Sequence, residues 1–192
     1  MQNLQGWRAV MKSNFAFLDK EFPVLAQFGR RAEAYLYSDS NSCLMKLGMI
    51  GETIANLMFT YDRIALPADN TAVNRITVLS REGLLTQDLA DILHALRKVR
   101  NKAVHENYSS VEDGKVLLQM AHSLCEWFMQ TYGDWNYQNE PFVMPPDLPA
   151  AESAADVSEK AQEEELTREA EEKAAATSGA VTKEIRLQQA AR

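Results

Sequence analysis

Leu89-Ala-Asp-Ile-Leu-His-Ala-Leu-Arg-Lys-Val-Arg-Asn-Lys-Ala-Val-His105-Glu106-Asn107 decides the fold. Leu89, Ile92, Leu93, Leu96, Val99 and Ala103 recur at steps of three and four, the spacing of one helix face. Thr86, three residues ahead of Leu89, is placed to start that helix. His94, Arg97, Asn101 and His105 stand at i, i+3, i+7 and i+11, which makes a second, polar face opposite the apolar one. A guanidinium, an amide and an imidazole at one helix end can bind phosphate, move a proton or clamp neighbouring helices. Spacing alone leaves all three uses open.

The helical period extends on both sides. Ser13 or Asn14 can cap a short helix over 15–21, and Pro23 suits the first turn of a helix reaching about Tyr37, with Leu25, Phe28, Ala32, Tyr35 and Leu36 at helical spacing. Ser38-Asp-Ser-Asn41 is a turn and cap. The next helix is expected over about 42–61, its buried side marked by Leu44, Leu47, Ile50, Ile54, Leu57 and Met58. Pro67-Ala-Asp-Asn70 breaks the chain, Asn70 or Thr71 caps a helix to about Arg81, and Gly83 suits the left-handed position that ends it. Behind the motif helix, Ser109 or Ser110 caps a helix to about Tyr132, with Val116, Leu117, Met120, Leu124, Trp127 and Phe128 inward. No strand alternation lasts beyond a few residues. The expected fold is therefore all-α, a bundle of about five helices with short connections.

Four regions follow from composition. Residues 1–12 carry little pattern and read as an N-terminal extension, and 13–132 are the bundle. Residues 133–149 hold Pro141, Pro145, Pro146 and Pro149 with Trp135, Tyr137 and Phe142, and are expected to lie as an extended strap against the bundle. From 150 to 192 the chain has 6 Lys/Arg against 10 Asp/Glu, and Leu166 is the one large apolar residue of 159–176. That is a solvated, acidic helical linker or tail.

The net charge of −7 argues against a general nucleic-acid binder, although a local basic patch over 97–102 keeps DNA or RNA open as a partner. Cys43 and Cys125 sit on apolar stripes and read as buried free thiols of a reducing compartment, and no metal-ligand spacing involves them. There is no signal-peptide core and no apolar run near the roughly 18 residues of a membrane span. A cytoplasmic location without membrane contact is expected.

Within the polar cluster, Arg100 follows Leu96 by four and precedes Ala103 by three, so it falls at the edge of the buried stripe. A buried guanidinium needs a carboxylate. Glu52 is the best candidate, because it lies mid-helix beside Gly48, Gly51 and Ala55, whose small side chains permit close helix approach. A Glu52–Arg100 or Glu52–His105 contact is expected. Three roles compete. The cluster ties helices together; or His105 is the general acid or base of a metal-independent nuclease, with Arg100 stabilising phosphate charge and Asn101 orienting it; or Arg97, Lys98 and Lys102 form a phosphate-binding patch. His94 and His122 read as ordinary helix residues.

The Arg100-Asn101-x-x-x-His105 string on a late helix resembles the signature of the HEPN superfamily, small helical bundles, often dimeric, of which many are metal-independent RNases. That resemblance implies catalysis by Arg100 and His105, with Asn101 between them. A wider resemblance runs through Met11-Lys-Ser-Asn-Phe-Ala-Phe-Leu18, Ala32-Glu-Ala-Tyr-Leu-Tyr-Ser-Asp39, Leu44-Met-Lys-Leu-Gly-Met-Ile-Gly-Glu52, Leu93 to Glu106 and Phe142-Val-Met-Pro145. In this order they look like the N-terminal region of the restriction (R) subunit of type I restriction–modification enzymes, over roughly 11–146. It implies a part in ATP-dependent cleavage of unmodified foreign DNA, with modification and specificity subunits or the rest of the R subunit as partners. ATP and magnesium belong in that family to domains whose motifs this sequence does not contain: no Gly-x-x-x-x-Gly-Lys-Ser/Thr occurs, nor the family's spaced Asp, Glu and Lys of the nuclease. The resemblance thus implies a fragment, a truncated relative or a standalone docking module, with no cofactor of its own. That family often carries Arg where Gly48 stands and Gly where Arg100 stands, which implies an arginine moved between helices while still serving Glu52.

Overall fold

A computed structural model describes residues 12–147 and Arg168. The extension before Lys12 and the tail, apart from Arg168, which is helical and exposed, lie outside the described residues. Among those described, the chain is all-helical, with no strand. A 3-10 turn, Ala16–Leu18, leads into α1 (Pro23–Tyr35), α2 (Ser40–Tyr61), α3 (Ala72–Arg81), α4 (Gln87–Glu106) and α5 (Val111–Phe128), which runs on as a π turn, Met129–Gly133.

Side-chain caps set the starts of four of these helices. Asp39, Thr71, Thr86 and Ser110 accept from the backbone N–H of Ser42, Asn74, Leu89 and Asp113 respectively. Stops are set by left-handed residues. Gly83, at φ 75°, turns the chain after α3, and Asn107, at φ 50°, turns it after α4. The structure departs from sequence expectation at several ends. The first expected helix, over 15–21, is a single 3-10 turn, because Phe22 precedes the Pro23 that opens α1 and cannot itself be helical there. The second helix stops at Tyr35, and the third starts at Ser40, since the Asp39 carboxylate takes the cap.

α2 is the central helix. Thirteen of its 22 residues are buried, which places apolar surface on nearly every side, and α1, α4 and α5 all pack against it. Phe15, Leu18, Phe28, Leu47, Ile54 and Phe128 are among the side chains fully enclosed by these helices. On α5 the buried positions are Gly114, Leu117, Leu118, Ala121, Cys125 and Phe128, with others at the same spacing. Val116, expected inward, is 60% exposed, because one residue before Leu117 is about 100° around the helix.

Residues 134–147 are neither helix nor strand and are bolted across the bundle. The Asn14 amide makes a two-point clamp, donating to the Val143 carbonyl at 2.9 Å and accepting from the Val143 N–H at 2.8 Å. Tyr37 Oη donates to the Pro145 carbonyl at 3.0 Å, and Lys12 pairs with Glu140 at 2.7 Å. Phe142 and Tyr137 turn inward, but Trp135, expected against the bundle, is 80% exposed.

Candidate functional site

The polar face of α4 divides into three parts. At its centre, Arg100 Nη1 donates to Glu52 Oε1 at 2.8 Å across the α2–α4 crossing, with the two side chains 32% and 30% exposed. The guanidinium reaches Glu52 because its stem lies flat over Gly48. A Cβ added at Gly48 would sit 2.3 Å from Arg100 Cβ and 2.5 Å from its Cδ. Gly48 is thus the gap in α2 that the arginine fills. Glu52 meets Arg100 and not His105.

Lys98, Asn101, Lys102 and His105 are all exposed. Arg100 and His105, five residues apart, point about 140° apart around the helix axis, so one chain does not bring them to a common space. Lys102 Nζ lies 5.4 Å from the Tyr108 ring centre. Together with Asn101, Lys98 and Glu106, His105 lines an open surface groove. His94 is half-buried, and its pKa is lowered from the usual histidine range by burial and then by the charges of Arg97 and Lys98.

Arg97 lines that groove with Lys98 and Lys102 and also borders a small crevice between α2, α3 and α4 with Gly51, Glu52, Ala72 and Arg75. Its Nε is buried without a hydrogen-bond partner.

A further polar group stands on the far side of the bundle. His122, read from sequence as an ordinary helix residue, is 2% exposed and is boxed by Phe15, Phe17 and Phe142 at ring-centre distances of 5.8, 5.7 and 5.4 Å. Glu126, also buried, holds an oxygen 3.6 Å from His122 Nδ1, longer than a hydrogen bond. Tyr137 Oη donates to the other Glu126 oxygen at 3.5 Å. Burial pushes His122 down and Glu126 up, so each is driven towards its neutral form. The signal in the sequence was His-x-x-x-Glu on the buried face of α5, a polar pair at i, i+4 among Leu118, Ala121 and Cys125.

No group of three His, Cys, Asp or Glu among the described residues could hold a metal ion. Cys43 and Cys125 are both buried and unpaired, with the Cys43 thiol pushed up to about 12 by burial and by Asp39. No helix among the described residues is long and apolar enough to cross a membrane.

With this geometry in view, the relatives can be placed. The sequence profile of a family described as Domain of unknown function (DUF4145) matches residues 30–178, from α1 through all the later helices and the strap. The chain belongs to this family. The DUF4145 chain is also 25% identical, over 135 residues, to the type I restriction enzyme EcoKI endonuclease subunit of Escherichia coli strain K12. The match takes in 70% of this chain and 11% of that subunit, so the chain spans about a tenth of the relative's length. No solved structure matches. In this DUF4145 domain, then, Arg100 is spent on helix packing and His122 is shielded. The chemistry left at the surface is the amide, imidazole and ammonium groups of Asn101, His105, Lys98 and Lys102.

Proposed function

We propose that the domain is a docking module of a restriction system, joining an R-like subunit to its remaining domains or to modification and specificity subunits, with no catalytic site of its own. The observation that carries this reading is the match to the EcoKI endonuclease subunit, which takes in 70% of this chain and 11% of the relative. The use of Arg100 as a packing group supports it, since a guanidinium held by a carboxylate is poorly placed to stabilise a phosphate in reaction. The docking surface includes the strap, where Trp135, Val143 and Met144 are exposed beside a well-tied backbone. Exposed tryptophans on rigid segments are frequent binding hot spots. ATP and magnesium would be bound by other parts of such a complex, which works in the cytoplasm.

The test is co-elution of this chain with an assembled modification–specificity complex, followed by titration. Binding that weakens more than tenfold in Trp135→Ser supports the reading. No binding by the wild-type chain would overturn it.

The second reading is a metal-independent HEPN-type RNase, favoured by the exposure of His105 beside Asn101 and Lys102. It requires Arg100 to leave Glu52 or a second chain to supply the missing cation. RNA cleavage in EDTA that disappears in a folded His105→Ala variant would establish it, and no cleavage would remove it.

A further inference from the structure

The groove on the outer face of α4 collects cations that the fold leaves unpaired. It is open to solvent, has a volume of about 470 Å³, and is lined by Arg97, Lys98, Asn101, Lys102 and His105 around a floor that includes Val99. Glu106 alone among its lining residues is acidic. Among the described residues no carboxylate pairs with Arg97, Lys98 or Lys102. Lys102 Nζ stands near the Tyr108 ring, which orients the ammonium without neutralising it. Three full cations thus share one helix face in a chain whose net charge is −7.

Helical spacing arranges these groups in two rows. Arg97, Asn101 and His105 follow at i, i+4 and i+8, and Lys98 and Lys102 stand at i and i+4 in the neighbouring row. Each step along a row rises about 6 Å, near the separation of successive phosphates on a nucleic-acid strand, and the face runs for about 12 Å. An acidic protein partner has no such fixed interval between its charges. Asn101 and His105 add N–H donors of the kind that meet sugar and phosphate oxygens. The lysine stems, with Val99 and Ala95, offer apolar surface on which sugars can rest. No aromatic ring is among the lining residues, so the groove has no platform for stacking bases.

We infer that the α4 groove binds the phosphate backbone of a nucleic acid without regard to its sequence. Arg97, Lys98 and Lys102 each meet a phosphate, and Asn101 and His105 donate to the oxygens between them. This goes beyond the docking reading and stands independently of it, because it rests on the outer face of α4 and not on the strap. It differs from the RNase reading too, since it breaks no bond and asks nothing of Arg100. The negative charge of the rest of the chain keeps such binding weak and strongly dependent on salt.

The test is fluorescence anisotropy of the full chain with labelled single-stranded DNA, duplex DNA and single-stranded RNA of mixed sequence, titrated across salt. Three phosphate contacts predict a slope of log K against log salt between about −2 and −3, so that binding weakens about twentyfold to fortyfold from about 50 to about 200 mM salt. Lys98→Ala/Lys102→Ala, a change at two exposed positions that leaves the fold in place by circular dichroism, should weaken binding at least about tenfold at low salt and bring the slope close to −1. Trp135→Ser should leave both unchanged, so the groove and the strap can fail separately. Whichever of the three probes binds tightest in a lysine-dependent way supports the site and names its source. No binding of any probe at about 50 mM salt would overturn it, as would an affinity and slope that survive the loss of both lysines. Displacement by polyglutamate as effective as by DNA of equal charge would also overturn it, in favour of an acidic protein partner.

Discussion

The Glu52–Arg100 crossing and the His122–Glu126 box solve the same problem in opposite ways. Both place ionisable groups among packed helices. At the crossing the groups keep about a third of their surface in water and meet at 2.8 Å as a salt bridge. In the box the rings of Phe15, Phe17 and Phe142 remove the water, the two groups stand 3.6 Å apart, and burial drives each towards neutrality. The difference is one of geometry before chemistry. Gly48 lets a long, flexible arginine choose its carboxylate, whereas histidine and glutamate on one helix turn are fixed at whatever separation the helix gives them. A pair of the first kind orders two helices. A pair of the second kind depends on what covers it, and here that is the 3-10 turn and the strap together.

The largest expected effect comes from closing the gap at the crossing. Gly48→Ala puts a methyl group against the rigid base of the Arg100 side chain and should destabilise the domain by about 2–3 kcal/mol in urea unfolding. In an Arg100→Gly background the same change should fall below about 1 kcal/mol, because the obstructing stem is gone. Equal effects in both backgrounds would separate Gly48 from Arg100. Next is the strap. Phe142→Ala removes one wall of the box from a half-buried site and should lower stability by about 1.5–3 kcal/mol. It should also expose residues 134–147 to limited proteolysis, and an unchanged digestion rate would mean that the strap is held by its polar ties alone.

pH sharpens the contrast. The His122 pKa is depressed below its ordinary 6.5, so its contribution to stability is complete above that value and is lost as pH falls through the lower folded one. Glu126 is raised above its ordinary 4.5, so its contribution is complete below 4.5 and is lost as pH rises through the higher folded value. Glu126→Gln should therefore gain on the wild type as pH rises above about 4.5 in thermal unfolding, and a parallel pH profile would contradict the raised Glu126 pKa. The smallest effect belongs to His105→Ala. At an exposed position it should change stability by less than about 0.5 kcal/mol, a result that a buried structural histidine would not give.

How far the sequence could be read varied with how local the cause was. The caps at Thr71, Thr86 and Ser110 and the left-handed Gly83 are set by neighbouring residues, and the all-helical architecture follows from apolar spacing. Glu52 and Arg100 could be nominated together because each breaks an apolar stripe at its most enclosed point, although what held the arginine's stem became plain only when Gly48 met it. The roles of Arg97 and Trp135 were not legible. Arg97 borders both the lysine groove and a crevice closed by α3, and α3 lies more than fifteen residues away in sequence. Trp135 follows a π turn that periodicity does not foretell. The surroundings of His122 were not legible because its partners come from the 3-10 turn and the strap, neither of which has a helical period.

The central claim is that Arg100 serves the helix crossing rather than a reacting phosphate. A double-mutant cycle of Glu52→Gln and Arg100→Met, followed by urea unfolding, tests it most directly. The account predicts that each single change destabilises and that the two together lose less than their sum, with a coupling of about 1–2 kcal/mol. Strictly additive effects would mean that the two side chains do not support one another, and would return Arg100 to the candidates for phosphate chemistry.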